Sequence, residues 1–321
     1  MTAPALSSTP ENEHPIETAE YLLSTPAIEE SIGDIVKWIR NRFTGGMVVG
    51  PQRFGKSHLI DYCLIELSRY IPGISIKVAE CSTYRFPAEL AFLEEMLHDL
   101  GHVLATVSSC SKGRIRIVSF LNSEATSSGT RRIVLFFDEA QNLHEHHYRI
   151  LMGFHNRLRR LGISLTVILV GQPSLRAQKS SFVGQDKKEI VARFMTHVND
   201  FHGIRTQKEL CECLESYDEH SEFPEGSKQS FTAHYYPVAF RNGWRLAAYA
   251  GSLWNAFAAA RKKVKRRTAA ELPMEYFCRS VEFILRAGRQ LDGPKTKLPD
   301  DLFEDAILEC GYLDFINDSG Q

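Results

Sequence analysis

Residues 50–57 read Gly50-Pro51-Gln52-Arg53-Phe54-Gly55-Lys56-Ser57 and fill every fixed position of the pattern GxxxxGK[ST]. No other feature limits the fold as much, because that pattern works only between a strand and the start of a helix. Both neighbours are present: the apolar run MVVG (47–50) enters it, and the amphipathic segment SHLIDYCLIELSRY (57–70) leaves it. Gly50 and Gly55 allow the backbone to curl, so that successive N–H groups and the positive end of the helix face phosphate oxygens. Lys56 is expected to reach the β- and γ-phosphates of ATP and the Ser57 hydroxyl to ligate Mg2+. Pro51, Gln52, Arg53, Phe54 and His58 complete the expected lining.

Three further strands follow from continuous apolar runs: ISIKVAE (74–80), IVLFFDEA (133–140) and LTVILVG (165–171). Unalternating strands separated by helical stretches indicate a parallel sheet covered on both faces. The second of these runs delivers Asp138 to the sheet edge, where it can hold magnesium through water, and the adjacent Glu139 is the expected base for an attacking water. Helical patterns cover about 16–42, 86–104 and 145–161, and strand signals stop after about Thr206. The expected organisation is therefore a flexible leader (1–15), an α/β core with an N-terminal helix (16–205), a helical lid (206–290) and an acidic C-terminal tail (291–321). SEATSSGT (123–130) reads as an exposed loop.

The formal net charge of −1 hides a segregation. Residues 1–30 carry six Glu and no Lys or Arg, and residues 292–321 carry eight acids against Lys295 and Lys297. Each end contributes −6, which leaves +11 on residues 31–291. Whole-chain neutrality therefore leaves a nucleic-acid partner open. Between 111 and 176 ten basic residues face four acids, and Lys112, Arg114 and Arg116 would share one face if that piece is extended. Arg157, Arg159 and Arg160 form a second basic group, and ARKKVKRR (260–267) reads equally as a DNA contact or a solvated linker.

GPQRFGKS, FFDEAQNL and LVGQPSL together resemble the AAA+ ATPases of the TnsC/TniB transposition-regulator group, over roughly residues 20–290. The same segments are also similar to ExeA-type secretion ATPases. The resemblance implies a P-loop AAA+ core with a five-stranded parallel sheet and a helical lid. It places Gln172 at the sensor contacting the γ-phosphate and lytic water, where relatives mostly carry Asn, Ser or Thr. Arg193 falls at the arginine finger serving a neighbour's ATP, with Arg176 and Arg205 as rivals. Arg245 matches the second sensor of the lid, with Arg241 as rival. The segment holding Lys112, Arg114 and Arg116 corresponds to one that follows a DNA backbone. The implied function is a regulator of DNA transposition that oligomerises on double-stranded DNA as a ring or helical filament, linking a target-selection protein to a transposase, with ATP hydrolysis driving disassembly. A secretion ATPase, a replication initiator or helicase loader, and a nucleotide-binding scaffold that hardly hydrolyses ATP are the alternatives.

Other features point away from further chemistries. Seven scattered cysteines without a CxxC pair suit reduced thiols and offer no zinc framework. His144-Glu145-His146-His147 is not HExxH and supplies too few ligands for structural zinc. No apolar run reaches about 18 residues, and the N-terminus lacks the basic start and apolar core of a signal peptide, so a cytoplasmic location without a membrane span is expected.

Overall fold

A computed structural model describes residues 13–83, 88–263 and 271–318. They divide into two compact units, 28–201 and a second unit made of the chain up to Ala27 together with everything from His202 onward.

The first unit is built on five parallel strands: β1 (Gly45–Val49), β2 (Ser75–Glu80), β3 (Arg132–Asp138), β4 (Ser164–Gly171) and β5 (His197–Asp200), in the order β2-β3-β4-β1-β5. β3 and β4 are buried almost end to end, as their unbroken apolar sequence requires. β5 is the strand that periodicity missed. It has four residues, His197-Val198-Asn199-Asp200, three of them polar, and it gains strand geometry by pairing with Gly46–Val49. The helices between strands are α3 (Lys56–Tyr70), α4 (Glu89–Asp99), α5 (Cys110–Ser127), α6 (Glu145–Arg160), α7 (Ser174–Gly184) and the short α8 (Lys188–Ile190), preceded by α2 (Pro26–Arg40). Leu93, Leu97, Leu121, Phe137, Leu151, Phe154 and Leu169 join in one continuous core.

α5 overturns two expectations. Ser109 caps it by accepting from the Lys112 amide, and the helix runs through to Ser127, so most of 123–130 is helix instead of loop. Lys112, Arg114 and Arg116 consequently do not share one face, because residues two apart on a helix point about 200° apart. Ile117, Leu121 and Ala125 claim the buried side, which tertiary packing alone could decide.

The second unit is helical: α1 (Pro15–Thr18), then α9 (Gln207–Glu219), α10 (Phe231–Tyr235), α11 (Pro237–Arg241), α12 (Ala250–Lys263), α13 (Met274–Gly288), α14 (Asp300–Glu309) and α15 (Tyr312–Asp318). Its only β feature among the described residues is an isolated bridge, Ile204 with Leu272. The expected boundaries shift at both ends. His14 and Ile16 are buried, so the leader is structured from there, and this segment packs in the helical unit's core instead of the α/β core. The expected acidic tail folds as α14 and α15, since Phe303, Ala306, Ile307 and Cys310 line one face and enter the same core. Lys265, Arg266 and Arg267 of the basic run lie outside the described residues, whereas Arg261, Lys262 and Lys263 end α12.

Candidate nucleotide site

The C-terminal ends of β1, β3 and β4 bring the phosphate motif, the Asp138-Glu139 pair and Gln172 together. The Gly50 amide donates to the Gly171 carbonyl at 3.1 Å, which continues the β1–β4 ladder into the loop. A Cβ on Gly50 would stand 2.4 Å from the Phe201 carbonyl oxygen, so no larger residue fits without moving β5's end. Gly55 sits at φ 96° and caps α3. That helix starts without a side-chain cap and without an acid in its first turn, leaving its N-terminal amides for an anion. Pro51, Gln52, Arg53, Ser57 and His58 are exposed along this loop, whereas Phe54 and Lys56 are buried.

Lys56 Nζ donates to the Pro51 carbonyl at 2.7 Å. Burial lowers the ammonium's pKa from its ordinary value, and Glu139 and Asp138 pull it back up. Ser57 Oγ donates to Asp138 Oδ2 at 2.9 Å, so two hard oxygen donors from separate motifs converge, as a magnesium site needs. Among the described residues no group of three or more His, Cys, Asp or Glu could hold a metal, and the His144–His147 cluster instead caps α6 through His147 Nδ1, which accepts from the His144 amide.

Glu139 follows β3 in the left-handed region, at φ 49°, a conformation uncommon for a non-glycine residue. This turn aims its carboxylate at the end of β4. Gln172 Nε2 donates to Glu139 Oε2 at 3.0 Å, and Gln141 Nε2 donates to the same oxygen. Gln141 Oε1 in turn accepts from the Gln172 backbone amide at 3.0 Å. Gln141 thus bridges Glu139 and Gln172. Gln141 stands inside the DEAQNL segment, but nothing in the sequence shows that its side chain reaches both Glu139 and Gln172. Asn142 steadies the turn by donating to the Cys81 carbonyl at 2.8 Å.

The other expected site residues have partners of their own within their units. Arg193 lies just before β5, at the opposite end of the sheet, where its Nη1 donates to His155 Nδ1 at 3.0 Å and Asn156 Oδ1 at 3.1 Å. Burial first, then Arg193 and Arg159, lower the His155 pKa, which suits its acceptor role. Arg176 pairs with Asp200, and Arg205 pairs with Glu271 at 2.9 Å. Arg245 belongs to the helical unit, where it packs 3.8 Å over the Phe240 ring and donates to the Trp244 carbonyl at 2.9 Å. Its rival Arg241 donates to the Pro237 carbonyl. On α5, Arg114 is locked to Glu89 at 2.6 Å and Arg116 donates to the carbonyls of Leu104 and Thr106, so of the three only Lys112 is without such a tether.

Residues 41–178, inside the α/β unit, match a family model described as an AAA domain. No curated protein sequence matches the chain. Among solved structures, the Aeropyrum pernix ORC2 protein, determined as ADPNP–ADP complexes, aligns with TM-score 0.60 at 13% identity, over 92% of this chain and 71% of that one. The A. pernix ORC1 protein in complex with DNA aligns with TM-score 0.52 at 11% identity, over 89% of this chain and 66% of that one. Identities this low speak to fold alone. No helix of the described residues is long and apolar enough to cross a membrane. Five parallel strands in this order, a phosphate loop between β1 and α3, and a helical C-terminal region give the chain the fold of a P-loop AAA+ ATPase.

Proposed function

We propose that this protein binds and hydrolyses ATP and uses the nucleotide to control its assembly on duplex DNA. Support comes from one convergence: Lys56, Ser57, Asp138, Glu139 and Gln172, drawn from three separate strand ends, meet at the uncapped N-terminus of α3. Lys56 and the loop amides bind the phosphates. Ser57 and Asp138 would hold Mg2+, which would supply neutralisation of phosphate charge. Glu139 takes the proton of the attacking water, and Gln141 and Gln172 hold its carboxylate in place. Arg193, with Arg176 and Arg205 as rivals, completes the site of a neighbouring copy, a head-to-tail contact that builds rings or open filaments. Arg245 links the helical unit to nucleotide state.

The branch of function follows from the segments GPQRFGKS, FFDEAQNL and LVGQPSL, which favour a regulator of transposition recruiting a transposase and answering to a target-selection protein. A second reading, a replication-initiator type of ATPase, is favoured by the likeness in fold to the ORC proteins, one of them complexed with DNA.

Lys56→Ala should abolish binding of a fluorescent ATP analogue; retained affinity overturns the phosphate-loop assignment. Glu139→Gln should keep ATP affinity, lose turnover and leave assemblies on duplex DNA long-lived in ATP.

A further inference from the structure

In a parallel sheet every strand starts at the same end, and the connecting helices finish there. In the α/β unit this end is the pole opposite the phosphate loop, and besides the entry of β5 four chain segments meet at it: 40–45, 69–75, 128–132 and 157–164. They contain eight arginines and no Asp, Glu or Lys.

Hydrogen bonds tie the segments to one another. Arg40 Nη2 donates to the Tyr70 carbonyl at 3.2 Å, joining the ends of α2 and α3. Thr44 and Phe43 offer their carbonyls to Val167 and Thr166 at the start of β4. The Ser164 amide donates to the Arg131 carbonyl, and Thr130 Oγ1 donates to the Gly73 carbonyl. Arg42, Arg131, Arg159 and Arg160 are exposed here. Arg69 pairs with Glu66 at 2.8 Å, and among the described residues none of the other seven has a carboxylate partner. Cations at helix C-termini offset the helix dipole, which accounts for Arg40 and the α6 group. It does not account for Arg42, Arg131 and Arg132, which enter strands.

We propose that this arginine pole is the surface that grips the phosphate backbone of duplex DNA. The inference rests on the DNA-binding reading above and moves its surface away from α5, where Arg114 and Arg116 are already committed. The residue choice fits: a guanidinium presents a planar fork of donors that matches phosphate oxygens, and it is always charged. The size fits as well. The entries of β2, β3, β4 and β1 span three strand spacings of about 4.8 Å, roughly 14 Å, close to the ~12 Å width of the major groove, so arginines along this line reach phosphates on both rims. No base-edge reader is needed, and binding is expected to be indifferent to sequence.

The test compares the full chain with Arg42→Ala/Arg159→Ala/Arg160→Ala and with Lys112→Ala/Arg116→Ala, using anisotropy of a labelled 30-base-pair duplex in ATP across 50 to 300 mM salt. Each phosphate contact contributes about 0.9 to the slope of log affinity against log salt, so the pole variant should lose up to about 2.7 of slope and well over tenfold in affinity at low salt. The α5 variant should match the wild type. A pole variant made with Lys in place of each Arg should keep the slope, which guards against misfolding as the cause, and fluorescent-ATP affinity should not move in any of them. An unchanged slope in the alanine pole variant overturns the proposal. So does loss of ATP-dependent self-association without DNA, read by sedimentation, which assigns the pole to a second copy of the chain. Failure of the wild type to bind duplex at any salt refutes the DNA-binding reading itself.

Discussion

Glu139 receives two side-chain donors on the same oxygen, from Gln172 at 3.0 Å and from Gln141. Replacing Gln172 by Ala removes one hydrogen bond to a carboxylate, an interaction of about 1.5–3 kcal/mol. It leaves the Gln141–backbone bond in place, because that bond uses the Gln172 main-chain amide. If the full value goes into holding Glu139 where it takes the water's proton, kcat should fall by roughly 10- to 150-fold at about 1.4 kcal/mol per decade. Gln172 hydrogen-bonds Glu139 and Gln141 and not Lys56 or Ser57 among the described residues, so ATP affinity should change by less than about threefold. Steady-state phosphate release and titration of a fluorescent ATP analogue measure the two quantities separately. A variant with kcat within twofold of wild type would show that Gln172 is not a positioning residue for Glu139. A parallel loss of affinity would place Gln172 on the phosphates instead.

Two further outcomes probe the fold. Phe303, 2% exposed and stacked 5.8 Å from Tyr249, anchors α14, so Phe303→Ala should cost about 3–5 kcal/mol in urea unfolding. A loss below about 1 kcal/mol would return residues 300–318 to the status of an appended tail. His147, stacked on Phe92 at 4.5 Å, has its pKa lowered to about 4 by burial first and by His144 and His146 next. The unfolded chain binds a proton at about pH 6.5, so the contribution of neutral His147 is complete above that pH and is lost as pH falls to about 4. His14, buried at the edge of the helical unit, is lowered to about 4 in the same way. Urea midpoints should therefore drop between pH 6.5 and 4.5, and His147→Asn should flatten that drop; identical slopes in the two proteins would refute the assignment.

The nucleotide motif was legible in the sequence because phosphate binding here is a property of consecutive residues. Gly50 to Ser57 carry their own turn geometry, and a strand before with a helix after completes the requirement. The continuous apolar runs that became β3 and β4 were legible for a similar reason, since burial on both faces removes alternation. β5 was not, because a four-residue strand with three polar positions has no pattern of its own and exists through its partner β1. Which face of α5 would be buried, and hence the fate of Lys112, Arg114 and Arg116, depended on Leu93 and Val107 packing at Gly113.

Composition along the chain revealed the acidic ends, but whether 300–318 is tail or helix was decided by Phe303, Ala306, Ile307 and Cys310 finding a core to enter. The same division separates the two ends of the α/β sheet. The sequence by itself determined the phosphate-loop end, where one contiguous loop carries the whole motif. Tertiary structure alone gathered Glu139, Gln141 and Gln172 into one network and brought arginines from four remote segments to the opposite pole, because in a parallel sheet every strand entry shares one end whatever its distance along the chain.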